Sequence, residues 1–506
     1  MSTSGHRDGG RGSGSASVAE IANLVGGEVH GDPSRIVSGV THDSQSVTGG
    51  DLFAAIPGRK RHGAEFVRLA INAGASAVWT DELGQEICAA ECADLGVSLI
   101  VANDIRKQLG AVCLRIYGQP PMKLIGITGT NGKTTTAYMV MQGAKSVGMK
   151  TGMIGTLATY VGDTEFPAIR TTPEAPEIFR LLHQMSMENV DVVVMEVSSI
   201  AISEYRIGGL KFDVVGFTNL SHDHLDYHGT MDNYFEAKAL LFSQLYAKRG
   251  VTCINDSWGQ RLLTQADIPM QSVFVGASLP KLTEEPDWWG VPQKLGDLVI
   301  NDPHDNVART QVVSPGDMNA MNATLAIALL DNIGLEPSLT CAGVGASVVP
   351  GRGQLVCTHN DISIYVDYAH SPDAIESFLS GLVHREQGKV ITVIGAGGDR
   401  DTSKRPLMGA EAARHSQIVI VTDDNPRSEN PADIRNSVVQ GVADFPSVYV
   451  ENIEGRRNGI KRALELAQPG DQIAILGKGH ESGIEIAGEV IPFNDSAVVL
   501  ELVNRV

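Results

Sequence analysis

At 506 residues the chain exceeds what one hydrophobic core usually organises, so several domains are expected and three fit best. Hydrophobic residues make up 42% and charged residues 20%, which marks a globular rather than a disordered protein. The formal net charge of -19 excludes a general nucleic-acid binder or a membrane-surface protein, since both display basic stripes; an anionic ligand must be met by local arginines. The six cysteines (88, 92, 113, 253, 341, 357) form no CxxC pair and no zinc-ligand cluster, as in a reducing compartment. No apolar run reaches the roughly 20 residues of a membrane helix. A cytoplasmic monomer acting on small molecules is expected.

Residues 1–16 are rich in Gly, Ser and Arg and are read as a flexible tail. From 17 to 118, short apolar strands (Val37–Val40, Asp51–Ile56, Ala75–Trp79) alternate with small-residue helices, the pattern of a small α/β domain. Gln119-Pro120-Pro121 is a stiff connector, and a second domain is expected over 119–347. It opens with a strand, Lys123 to Thr128, that runs into Gly129-Thr130-Asn131-Gly132-Lys133-Thr134-Thr135 and then a helix. A glycine turn ending in Gly-Lys-Thr after a buried strand is a P-loop. Its backbone N–H groups and the helix dipole surround phosphate, Lys133 supplies a point charge, and Thr134 offers a hydroxyl to magnesium. The bland alternative is an ordinary glycine turn. Asp191–Val197 and Phe212–Thr218 are continuous apolar runs, as in parallel strands buried on both faces, and polar strings carrying Glu196, Ser198 and His224 follow them. Residues 277–310 are polar and carry no recognisable chemistry. Asn319 and Asn322 then stand at the start of a helix, where asparagine also serves simply as a cap. A third domain, 348–506, shows strands at Ile362–Val366, Val390–Ile394, Ile418–Thr422 and Asp471–Leu476 separated by helices, a doubly wound pattern. The strings holding Asp367 and His370, Arg400, Asp424-Asn425-Pro426-Arg427 and Gly477–Glu481 follow these strands and converge on one edge.

The string Thr-Gly-Thr-Asn-Gly-Lys-Thr-Thr resembles the loop of the Mur ligases, ATP-dependent amide-bond-forming enzymes of peptidoglycan synthesis, and of their folylpolyglutamate synthetase relatives. Matching segments run through all three domains in the family's order. The resemblance implies a UDP-binding first domain, a P-loop ATPase domain with a mostly parallel sheet, and a Rossmann-like third domain. It also implies the reaction: a carboxylate of UDP-N-acetylmuramoyl-L-alanyl-D-glutamate is activated by ATP to an acyl phosphate, which an amine attacks. Ser44 matches the uridine segment. Thr171, Thr172, Ser198 and Arg206 match positions that hold the muramoyl dipeptide. Asn319, Asn322, Arg352, Asp367 and His370 join the P-loop around ATP. Lys133, Glu196, His224 and Lys238 are the implied catalytic group, with Thr134, Glu196, His224 and a carbamylated Lys238 holding Mg2+.

The Asp-Asn-Pro-Arg string resembles that of family members which add meso-2,6-diaminopimelate. A guanidinium at 427 suits the second carboxylate that distinguishes this amine from lysine. Arg400 is implied to hold the other carboxylate, with Gly477 and Glu481 taking the distal ammonium. Lysine is expected to leave Arg427 unpaired. Four positions depart from the family's motifs: Gln45 and Ser496 replace arginine, Ile200 histidine, and Gln354 glutamate. They leave open a paralogue joining a related acid and amine, or an ATP-binding regulator without turnover.

Overall fold

The computed structural model describes residues 14–58, 60–168, 170–279, 285–314, 316–385 and 388–504. The first thirteen residues of the expected tail, and part of the polar 277–310 stretch, lie outside them. Contacts divide the chain into two units. One takes the chain through 130 with 147–252 and 256–270, and the other takes 131–146, 253–255 and 271–506.

In the first unit, strands Glu28–His30 (β1), Gly39–Thr41 (β2), Asp51–Ala54 (β3), Ala77–Thr80 (β4) and Ser98–Val101 (β5) form a sheet in the order β1-β5-β4-β3-β2. All neighbours are parallel except β1 with β5. The unit continues through Lys123–Thr128 (β6), Thr151–Ile154 (β7), Ala158–Val161 (β8), Thr164–Pro167 (β9), Val192–Glu196 (β10), Val214–Phe217 (β11) and Gly250–Cys253 (β12), arranged β9-β8-β7-β10-β6-β11-β12. The middle of this arrangement is parallel, with β6 between β10 and β11. Burial on both faces explains why β6, β10 and β11 read as unbroken apolar runs: Ile125, Ile127, Val214, Val215 and Phe217 are fully enclosed. The chain leaves β6 at its carboxyl end, where ligands of open α/β sheets bind. Gly129 is required there, because a Cβ on it would collide with the Thr218 hydroxyl and its φ is +148°.

In the second unit, the helix Lys133–Ser146 (α1) is buried along most of its length, which is why its sequence lacks a polar face. It packs against Asp317–Asp331 (α2) and Pro337–Gly345 (α3). The approach is close enough that a Cβ on Gly143 would lie 2.6 Å from Leu330 and 2.7 Å from Val344. The polar stretch after 277 proves to be strand-rich. Trp288–Pro292 (β13), Asp297–Asn301 (β14) and Val307–Gln311 (β15) pair antiparallel in sequence, and Trp288 is wholly buried with its indole N–H on Gln271. The third sheet contains Gln354–His359 (β16), Ile362–Asp367 (β17), Val390–Ile394 (β18), Ile418–Val421 (β19), Tyr449–Asn452 (β20) and Gln472–Leu476 (β21), in the order β16-β17-β21-β18-β19-β20. Only β16 with β17 is antiparallel. A hairpin, Gly483–Ile486 (β22) with Glu489–Pro492 (β23), follows.

Candidate active site

The first unit gathers one group of the expected residues around the end of β10. Glu196 is fully buried, and its two oxygens accept from the Thr156 N–H at 2.8 Å and the Thr156 hydroxyl at 3.0 Å. The Thr156 and Thr171 hydroxyls are also within hydrogen-bond distance, at 3.1 Å. Thr172 donates to the Glu196 carbonyl at 2.9 Å and accepts from the Ser198 N–H at 3.0 Å, while Ser198 caps the short helix Ser199–Ser203. Arg206 reaches the Thr172 carbonyl at 3.2 Å. Thr171, Thr172, Glu196, Ser198 and Arg206 are thus one hydrogen-bonded cluster. Glu174, which sequence reading passed over, is its electrostatic anchor: it is buried and receives Arg206 at 3.1 Å, Arg170 at 2.9 Å and Arg106 at 3.3 Å. Arg206 and Arg106 also face Glu204, at 2.9 and 3.9 Å. With the buried Glu196 counted, three guanidiniums meet three carboxylates, so this cluster is close to neutral within a strongly acidic protein and repels an anionic substrate less than the rest of the surface.

The P-loop's first half lies in the same unit. Thr130 accepts from the Ser221 N–H at 3.0 Å and shares a 3.2 Å hydrogen bond with the buried Tyr234 hydroxyl. Lys238 is buried, with Nζ 2.8 Å from the Gly129 carbonyl and 4.6 Å from the Tyr234 ring centre. His224 is half exposed, in the left-handed region with φ +52°, edge-on to Tyr234. Burial and the nearby Lys238 hold the His228 pKa below its ordinary value; its Nε2 sits 2.9 Å from the Ser199 hydroxyl. Among the described residues no three His, Cys, Asp or Glu side chains stand together as a metal cage. A divalent cation here would rely on single carboxylates, hydroxyls and the nucleotide's own oxygens, which is how magnesium is commonly held with phosphates. Ser44 is half-buried beside the Asx turn of Asp43, whose carboxylate takes the Gln45 N–H and the Ser46 hydroxyl; Gln45 itself is exposed.

The second unit carries the loop's other half. A Cβ on Gly132 would collide with the Asn322 amide, and Asn322 accepts from Thr136 and donates to Asn319. The two asparagines therefore back the loop rather than merely cap α2. The Arg352–Gly353 turn adjoins them, 3.6 Å separating Asn319 from a Cβ on Gly353. Arg352 stacks 4.1 Å over the Tyr368 ring. Asp367 accepts from the Gly353 and Ala369 N–H groups at 2.5 and 2.7 Å; burial raises its pKa against the opposing pull of Arg352. His370 is exposed, its Nδ1 on the Tyr368 carbonyl.

At the carboxyl ends of β18, β19 and β21 the remaining strings meet. The Asn425 amide donates to Glu481 Oε2 at 2.8 Å and accepts from the fully buried Lys478 at 3.1 Å and from the Glu485 N–H at 2.9 Å. Lys478 also donates to Glu481 Oε2, at 2.8 Å. Burial alone would raise the Glu481 pKa, but Lys478, Asn425 and His480 together more than offset it and hold the carboxyl below its usual range. Asp424 is buried and its pKa raised, with Arg456 at 3.7 Å and Lys478 at 3.9 Å as partial compensation. Gly477, at φ +112°, lies close enough that a Cβ would be 2.6 Å from the Asp424 carboxylate. Arg400 is exposed, and Arg400 and Arg427 flank Gly397. The structure corrects one expectation. Arg427 is not left without a carboxylate when diaminopimelate is absent, because its Nε donates to Glu485 at 3.0 Å and its Nη1 to the Gly398 carbonyl at 2.6 Å. Glu485 belongs to β22, 58 positions away, and no local pattern marks it. Lys478 stood within the string already singled out, but a surface lysine and a fully buried one look alike in sequence.

Three family models cover most of the chain: the Mur ligase family catalytic domain at 36–115, the Mur ligase middle domain at 127–330 and the Mur ligase glutamate ligase domain at 351–479. The UDP-N-acetylmuramoyl-L-alanyl-D-glutamate--2,6-diaminopimelate ligase of Streptomyces coelicolor is 40% identical over 499 residues, 96% of each chain. The chain belongs to the Mur ligase family. A solved structure of a UDP-N-acetylmuramoyl-L-alanyl-D-glutamate--2,6-diaminopimelate ligase superposes with a TM-score of 0.67 at 27% identity, covering 97% of this chain and 99% of that one. A MurF ligase from Thermotoga maritima, solved in complex with ADP, shares the fold at a TM-score of 0.61 and 15% identity, covering 92% and 97%. Mur ligase membership accounts for the three-domain α/β architecture and for the order of the polar strings. Among the described residues no helix is long and apolar enough to cross a membrane.

Proposed function

We infer that this Mur ligase is an ATP-dependent enzyme that adds meso-2,6-diaminopimelate to UDP-N-acetylmuramoyl-L-alanyl-D-glutamate, with ADP and phosphate as the other products. The observation that carries the choice of amine is the arrangement about Asn425. One side chain orients the Glu481 carboxylate, and the adjacent Arg427 presents a guanidinium, so a cation and an anion are offered together to the zwitterionic end of a diamino diacid. Glu481 Oε2 takes both Lys478 and Asn425, which leaves Oε1 for the ligand's ammonium.

The assigned roles follow from charge. Lys133 and the loop N–H groups, 128–135, receive the ATP phosphates, and Lys133 draws off charge as the phosphoryl group moves. Thr134, Glu196, His224 and a carbamylated Lys238 would hold Mg2+, which would supply positive charge to offset the negative charge of the transferring phosphoryl group. Thr171, Thr172, Ser198 and Arg206 hold the dipeptide, Ser44 the uridine, and Asn319, Asn322, Arg352, Asp367 and His370 the nucleotide. The proposed domains are 17–118, 119–347 and 348–506. The departures at Gln354 and Ser496 do not favour a different reaction. They are neighbours in the fold: the Gln354 side-chain Oε1 accepts from the Gly351 N–H at 2.8 Å and from the Ser496 hydroxyl at 3.5 Å, so the Arg352 turn keeps a local support.

Phosphate release with ATP, magnesium, the muramoyl dipeptide and diaminopimelate tests this reading. Release that requires both substrates is expected; ATP binding without release would point to a regulator. Two variants sharpen the assignment. Lys238→Ala is expected to abolish turnover, with partial recovery in a short carboxylic acid, and the Lys238 peptide is expected to show a carbamate by mass under bicarbonate. A free amine together with an active alanine variant would remove Lys238 from the site. Arg427→Ala is expected to raise KM for diaminopimelate about 10- to 100-fold, the worth of a hydrogen bond between charged groups, and to leave KM for ATP nearly unchanged. Equal effects on both constants would count against a contact with the amine.

A further inference from the structure

The arginine proposed to read the far carboxylate of the amine already holds a carboxylate of its own chain. Arg427 Nε donates to Glu485 Oε2 at 3.0 Å, and the Arg427 side chain is about four-fifths enclosed, its exposure being 22%. The pair is built on a backbone ladder. The Arg427 N–H donates to the Glu485 carbonyl at 3.0 Å, the Ala487 N–H donates to the Arg427 carbonyl at 2.8 Å, and the Glu485 N–H is fixed on Asn425. This ladder holds β22 against the Asp424–Arg427 loop whatever the Glu485 side chain does. That side chain is 42% exposed and can turn into water without disturbing a core.

We propose that Glu485 is a specificity-determining residue: its carboxylate occupies Arg427 in the empty site and is exchanged for the distal carboxylate of the amino-acid substrate. The inference rests on the diaminopimelate reading. Exchange changes the arithmetic of selection. A largely enclosed guanidinium without a partner is costly, and Glu485 removes that cost while the site is empty. Diaminopimelate replaces one carboxylate with another, so it gains less than it would from an unoccupied guanidinium. An amine without a second carboxylate cannot displace Glu485, which stays on Arg427 beside the ligand and leaves it no partner there. Glu485 therefore lowers affinity for the favoured amine and at the same time softens the refusal of lysine.

The test is Glu485→Gln in the full chain, which preserves size and the backbone ladder and removes the charge. KM for diaminopimelate is expected to fall about three- to tenfold, the margin of a charge-assisted over a neutral hydrogen bond, while KM for lysine does not fall and KM for ATP is unchanged. The preference for diaminopimelate then widens. Labelling of Arg427 by phenylglyoxal without substrates, read on its peptide by mass, is expected to be faster in the variant. An unchanged or higher KM for diaminopimelate, with turnover intact, would overturn the exchange alone. If wild-type enzyme fails to turn over with diaminopimelate although labelling is accelerated, the diaminopimelate reading falls and the exchange with it.

Discussion

Lys133→Ala is expected to lower turnover about 100- to 1000-fold, corresponding to roughly 3 to 4 kcal/mol of lost transition-state stabilisation. The lysine opens α1 directly after the loop, and the loop is held in shape by contacts that do not involve it: Thr130 on Ser221 and Tyr234, and Gly132 against Asn322. The variant should therefore keep its fold and its stability while losing the charge that meets the transferring phosphoryl group. Single-turnover phosphate release, with a denaturation curve on the same sample, separates the two. Near-normal turnover in a folded variant would remove the P-loop assignment.

Asp495→Ala is expected to cost about 3 to 5 kcal/mol of stability, because it strands a buried charge. Arg456 and Asp495 are both fully enclosed, joined by two hydrogen bonds of 2.7 Å. The guanidinium also donates to the Leu476 carbonyl at 2.9 Å and stands 3.7 Å from Asp424. The pair thus ties the C-terminal helix Asp495–Val503 to the end of β21 and to the carboxylate next to Asn425. Urea denaturation measures the cost. The double replacement Arg456→Met with Asp495→Leu should be markedly less damaging than Asp495→Ala alone, since no charge is left unpaired. A single-variant loss below about 1 kcal/mol would show that the carbonyl and Asp424 already suffice for Arg456.

The contrast between these two sites explains what could be read from the sequence. The P-loop is legible because its pattern is contiguous: a buried strand, a glycine turn, a lysine and a helix follow one another, although Gly129 and Gly132 pack against Thr218 and Asn322 far along the chain. The same holds for the strings after β10, β18, β19 and β21, which follow recognisable apolar strands at the ends where ligands of open α/β sheets generally bind. The contacts that orient them are not local. Thr156 lies 40 positions from Glu196, Glu174 lies 68 from Arg106, and Glu485 lies 58 from Arg427. Serine, threonine and glutamate are common in polar stretches, so no spacing distinguishes these partners from solvated surface. The strands after 277 were hidden for a related reason. Alternating half-exposed strands at a sheet's end need few apolar residues, and β15 in particular has no fully buried side chain.

The choice of amine is tested most directly by offering the enzyme, ATP, magnesium and the muramoyl dipeptide equal concentrations of meso-diaminopimelate and L-lysine, and reading the two ligation products by mass at early time. Arg427 and Glu481 predict a large excess of the diaminopimelate product, about tenfold or more for one charge-assisted contact, shrinking toward parity in Arg427→Ala. Equal amounts of both products from the wild-type enzyme, or a ratio that Arg427→Ala leaves unchanged, would contradict the assignment.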